Sequence, residues 1–336
     1  MFLIFFVIIP FCLLVSEDAF AHHGAVGGFG VGRAGPITTV PAVPLVTGRF
    51  SVGTRMEYTK FSRFTDSQLK NFALEGKEVD STNALFTPFL GAAYGVTDNL
   101  MVMARFPYVS HDDIREGHRE EDGGVEVHRE GDSADFGDLT LLGLYRFLKG
   151  LDKDYHIAGI LGLKTPTGRT TERALNGRRF EVEHQPGSGS WDPMAGLAFT
   201  KHWGHLSLDT NVLYTFTTQG SQRTILGDIF NYNLGLSYRL TKERHVHWNQ
   251  EHGVHWHVDW DLAVELNGEW RQKQEIKERK DDNSGGNLVY FSPGVRATIN
   301  DRVFIPIAIG IPIIEDTNGL EHEVDYRLVF GVGIGF

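Results

Sequence analysis

The chain has 336 residues, a net charge of −11 and one cysteine, Cys12. An acidic balance makes it a poor partner for nucleic acid, and a lone cysteine rules out a disulfide framework or a thiolate metal site. The 39 glycines and 12% aromatic residues point away from an ordinary soluble domain.

The first element is an unbroken apolar run over residues 2–15. It has the length of a signal-peptide core and is too short to span a bilayer. Ala19-Phe20-Ala21 supplies the small-x-small pattern of a cleavage site, so the mature chain is expected to begin at His22. No Lys or Arg precedes the run, which departs from the signal-peptide rule and leaves a buried N-terminal helix as the alternative. Cys12 lies inside this segment without a lipobox before it. No later apolar run is long enough for a transmembrane helix. Residues 22–46 are rich in Gly and Pro and aperiodic. They read as a periplasmic tail in preference to a hatch folded into the remainder, residues 47–336.

From residue 47 onward the chain alternates with period two. In "FNYNLGLSYRL", Tyr232, Leu234, Leu236, Tyr238 and Leu240 share one face. In "DWDLAVELNGEWR", Trp260, Leu262, Val264, Leu266 and Trp270 alternate with Asp259, Asp261, Glu265 and Glu269. "DRVFIPIAIGIPII" and "EVDYRLVFGVGIGF" repeat the pattern. Each segment is a strand with one greasy and one polar face. The strands exceed the soluble average of about five or six residues and match the roughly nine to eleven of a tilted transmembrane strand. Aromatics such as Tyr145, Phe147, Tyr214 and Phe216 mark the row ends, and Phe336 closes the last strand, as in outer-membrane barrels. Twelve strands are expected, at 47–61, 83–96, 100–110, 136–148, 155–166, 189–202, 205–219, 229–241, 258–272, 286–299, 302–314 and 323–336. Short inside turns, such as Trp203-Gly204 and Asn300-Asp301, should alternate with long outside loops. Residues 242–257 are the one long connection on the inside.

The stretches "FGDLTLLGLYRF", "LKTPTG", "QPGSGSWDP", "NYNLGLSYRL" and "DYRLVFGVGIGF" resemble the outer-membrane β-barrels grouped under the MetA pathway of phenol degradation. The resemblance runs from the first strand to the C-terminus. It implies a bacterial outer-membrane barrel, and so outer-membrane lipid as a partner; the C-terminal Phe336 on an alternating strand itself resembles the signal read by the barrel assembly machinery. The family resemblance also implies passage of small, aromatic solutes. No catalytic residue carries over, and the histidine-rich turn and the acidic loop at 111–135 lie outside the pattern.

The fold expected is therefore all-β, an antiparallel transmembrane barrel of about twelve strands. Its inward positions hold both charge signs: Arg55, Glu57, Arg105, Asp138, Arg146, Lys164, Asp209, Arg239, Glu265, Glu269, Arg271, Arg296, Asp325 and Arg327. Such a lining passes polar solutes if hydrated, or plugs the lumen if the charges pair across it. The stretch "ERHVHWNQEHGVHWHVDW" carries His245, His247, His252, His255 and His257. Their i, i+2 spacing places imidazoles on one face if the chain is extended, which suits Cu, Zn or Ni. His22 and His23 would lie on the same side, next to a new N-terminal amine. The alternatives are an ordinary surface turn between interfacial tryptophans, with no cofactor required, and a structural barrel with a plugged lumen. Residues 111–135 hold ten acidic residues against three arginines, with His111, His118 and His128, and read as a solvated external loop. No Gly-x-Ser-x-Gly elbow accompanies Ser207, Asp209 and Asn211, so the chain is not expected to be an enzyme.

Overall fold

The structure, a computed structural model, describes residues 23–26, 29–31, 34–77, 79–120, 123–151, 154–241, 257–319 and 323–336. Twelve antiparallel strands form its wall. They are β1 (Phe50–Phe61), β2 (Ala84–Thr97), β3 (Leu100–Arg119), β4 in two segments (Val125–Phe136 and Thr140–Lys149), β5 (Tyr155–Lys164) and β6 (Asp192–Trp203). There follow β7 (Leu206–Thr215), β8 (Ile229–Arg239), β9 (Val258–Arg271), β10 (Gly286–Ile299), β11 (Val303–Thr317) and β12 (Val324–Gly335). Each strand pairs with its sequence neighbour, and β12 pairs back to β1 with Gly333 opposite Gly53. Closure leaves no unpaired edge, the condition for a sheet in hydrocarbon. At the seam the Phe50 and Phe336 rings stack 4.5 Å apart, and Phe336 N donates to Phe50 O.

The wall is inside out relative to a soluble protein. Leu236 and Leu262 are 46% and 48% exposed, while Arg296 and Glu265 are 0% and 1% exposed. The outward rows form the apolar band that a membrane requires.

Every expected strand is present, with edges displaced by a few residues. The larger correction concerns residues 111–135. They are not a loop but an ordered hairpin: β3 runs on to Arg119, and the first segment of β4 returns along it with His118 opposite Glu126. Salt bridges spread the acidic charge, with Arg115 to Asp66 and Arg63 to Asp113, and Asn176 donates to Glu130. β4 breaks at Gly137–Leu139, beside Pro107 of β3, whose nitrogen has no proton for the ladder.

The short connections, including those at Thr97–Leu100 and Ile299–Val303, lie at one end of the barrel together with the long β8–β9 connection, and the other long connections lie at the opposite end. The first long connection contains the helix α1 (Asp66–Leu74), started by a capping box in which Thr65 and Gln68 satisfy each other's backbone N–H groups. Leu69 of α1 is buried against the β3 extension.

Candidate functional site: the charged lumen and its N-terminal segment

Residues 34–46 do not hang free below the barrel, as the sequence reading favoured, but lie inside it. Ile37, Thr39, Ala42 and Leu45 are each buried to 1% exposure or less. The wall's polar side chains hold the segment by its backbone. Glu265 accepts from the N–H groups of Ile37, Thr38 and Thr39 and from Thr39 Oγ1. Val40 N donates to Asn211 Oδ1 at 2.8 Å, and Ala42 N donates to Thr200 Oγ1 at 2.9 Å. Arg55 donates to Ile37 O at 3.1 Å and to Thr38 Oγ1 at 3.0 Å. Pro36, Pro41 and Pro44 lack N–H groups, so the segment cannot join the wall as another strand. Among the described residues, 34–45 make no main-chain hydrogen bond to the wall. Glycines make its seat: a Cβ on Gly294 would strike Ile37, and one on Gly95 would strike the Leu45 and Val46 carbonyls.

Around and above this segment the expected lumen residues form three groups. Towards the short-turn end, Asp261 bridges Arg296 and Arg239 at 2.6 and 2.8 Å, and Gly35 packs against the Arg296 guanidinium. Arg146 reaches Asn99 Oδ1 and Asp98 O in the β2–β3 turn. Asp209 accepts from Thr200 and Ser207, a structural network without a nucleophile's geometry. At mid-depth, Arg55 pairs with Glu57 at 2.9 Å, Arg105 stacks on Phe89 at 4.2 Å, and Arg327 stacks on Tyr290 at 4.1 Å. Glu269 is bonded by Asn231 and Arg271, and Arg271 is exposed. Asp325 is also exposed, at the register shift between Val324 and Tyr326, and does not line the deep lumen. Asp261, Glu57 and Glu269 thus meet arginines, which lowers the cost of placing those charges inside the wall, while Arg105, Arg146 and Arg327 rest on aromatic rings or neutral acceptors.

Near the long-loop end, Asp138 sits at the break in β4 and accepts from Gly168 N, Ser188 N and Ser188 Oγ. Lys164 bridges Asp138 and Asp192 at 3.7 and 2.5 Å. The connection from 165 to 191 is thereby anchored over the mouth. Its His184 donates from Nε2 to Asp80 Oδ2 at 2.9 Å and stacks edge-on with His111. Burial opposes a charge on His184, yet the Asp80 hydrogen bond and the charges of Asp80, Glu183 and Glu181 push its pKa up to about 9. The mouth is thus roofed by loops tied to one another, with Gln274 of the β9–β10 connection donating to Glu183 at 2.8 Å.

Sequence reasoning missed the partners Phe89, Tyr290, Asn211 and Thr200. Their inward parity was available from the alternation, but their roles depend on strand register and on the N-terminal segment's place in the lumen. His22, His245, His247, His252 and His255 lie outside the described residues, and of His23 only the backbone is described, in the strand His23–Val26. His257 lies 2.8 Å from Asp259, through Nε2.

A family model described as "Putative MetA-pathway of phenol degradation" matches residues 65–317. The chain belongs to that family. Among solved structures, the family member is similar to an outer membrane channel from Pseudomonas putida F1, at 15% identity and a TM-score of 0.57. The match covers 88% of this chain and 98% of that one, and it supports the barrel fold. The toluene transporter TbuX from Ralstonia pickettii matches at 11% identity and a TM-score of 0.43, over 87% of this chain and 90% of that one. No curated protein matches the chain.

Proposed function

We propose that this family member is an outer-membrane channel for small organic solutes, aromatic compounds among them, and that residues 34–46 obstruct its lumen until they are displaced. The observation that carries the reading is the way the obstruction is attached. It is bonded to Glu265, Asn211, Thr200 and Arg55 through their side chains. It can therefore move without opening the wall's backbone ladder, which a strand-paired plug could not. The mid-depth lumen offers guanidinium groups stacked on Phe89 and Tyr290, and such flat surfaces suit a planar ring with a polar edge. The short turns would face the periplasm and the long loops the outside. Cleavage near Ala21 and delivery to the assembly machinery through Phe336 complete the route to the membrane.

The test is uptake of radiolabelled phenol or toluene by cells with an intact outer membrane. Cells producing the protein should accumulate label several-fold faster than cells without it. Equal rates would overturn the assignment to aromatic solutes.

A further inference from the structure

The tip of the β3–β4 hairpin carries a motif that the lumen does not use. His118-x-Glu120 on the outgoing strand mirrors Glu126-x-His128 on the returning one. Side chains two apart on a strand share a face, and the register sets His118 opposite Glu126, so His118, Glu126 and His128 lie on one side of the hairpin, and Glu120, one residue past the end of β3, reaches the same side through its contact with His128. The turn is tied by Glu120 N donating to Gly124 O at 2.9 Å. The donor atoms of Glu120, Glu126 and His128 lie within 4.8 Å of one another, with His128 Nε2 and Glu120 Oε1 at 3.0 Å. The His118 and His128 rings stack with centroids 5.2 Å apart. Arg119 and Arg129, at the alternate positions, belong to the opposite face. Among the described residues, neither Glu120 nor Glu126 has an ion pair with Lys or Arg.

Two carboxylates gathered without a Lys or Arg partner repel each other, and a divalent cation bound between them removes that repulsion while using the imidazole nitrogens as donors. Calcium and magnesium prefer oxygen alone, whereas mixed imidazole and carboxylate donors suit borderline transition ions, and four donors make a tetrahedral set. We propose that the hairpin tip is an external site for a divalent transition ion such as Zn²⁺ or Cu²⁺, held by His118, Glu120, Glu126 and His128. The ion would clamp the two strands at their exposed end. The site is remote from the lumen and stands independently of the channel reading.

The experiment is calorimetric titration of ZnCl₂ into the untagged mature protein in detergent micelles. Three forms are compared: the unaltered chain, His118→Ala/His128→Ala, and the turn variant His245→Ala/His247→Ala/His255→Ala/His257→Ala. Heat-dependent gel migration shows that each form keeps its barrel. The hairpin variant should lose one equivalent of bound Zn²⁺, or bind it more than about ten-fold more weakly, since even an outer-shell partner contributes that much. The turn variant should keep that equivalent. Identical stoichiometry and affinity in the unaltered chain and the hairpin variant would overturn the proposal, as would an unaltered chain that binds no Zn²⁺.

Discussion

Glu265 is the residue on which the obstruction depends most. Its carboxylate collects three backbone N–H groups and the Thr39 hydroxyl in a site of 1% exposure. Hydrogen bonds to a charged group contribute about 1.5–3 kcal/mol each, and about 1.4 kcal/mol is a factor of ten. Glu265→Ala should therefore speed amide exchange at Ile37–Thr39 by at least about ten-fold, read by hydrogen-exchange mass spectrometry, while amides of β9 stay protected. Unchanged exchange would mean that the segment is held elsewhere. His184 gives a pH-dependent prediction. Its pKa rises from 6.5 to about 9 in the folded chain. The clasp to Asp80 is thus fully stabilising below pH 6.5 and weakens as pH climbs through about 9. Limited proteolysis of the connection from 165 to 191 should quicken between pH 7.5 and 10, and Asp80→Asn should quicken it already at neutral pH. At this scale the charged lumen was legible, because alternation alone sends Arg55, Glu265 and Arg296 to the inner face. Their partners were less legible: Arg296 meets Asp261 through the β9–β10 register, which alternation alone does not fix, and meets Gly35 only once the N-terminal segment lies in the lumen.

Among the elements, the strands were the most legible, since a hydrocarbon exterior forces period two on every one of them. The N-terminal segment was the least. Gly and Pro erase periodicity, and the sequence "AGPITTVPAVPLV" looks like a tail until the wall's hydrogen-bonding groups are known. One signal was present, because a stretch with no charge and five Val, Ile or Leu residues is poorly suited to water. The acidic hairpin was misread for a related reason. Its charge suggested a solvated loop, whereas His118-x-Glu120 and Glu126-x-His128 already alternate as a strand pair does. The break in β4 yields a prediction at this level. Asp138 accepts from Gly168 N and from both the N–H and the hydroxyl of Ser188. Asp138→Ala should release the connection from 165 to 191 and create new trypsin cuts at Arg173, Arg178 or Arg179, with the barrel fragments remaining intact. An unchanged digestion pattern would show that the Lys164–Asp192 pair suffices.

The whole molecule is a closed wall with a greasy exterior, a charged interior and a segment of its own chain in the lumen. The exterior is tested by Leu236→Arg. Leu236 faces outward at mid-strand, opposite Val264, where a guanidinium in hydrocarbon costs about 2–4 kcal/mol. Reversible unfolding in lipid should register that loss, whereas Ser237→Ala, on the inner face, should change little. The central claim is that residues 34–46 close an otherwise passable barrel. The most direct measurement is single-channel conductance in planar bilayers, comparing the intact mature protein with a form lacking residues 34–46. The intact protein should show small or rare conductance, and the shortened form should show steady openings several-fold larger. Equal conductance in the two forms would place the constriction in the wall or the loops and contradict the account.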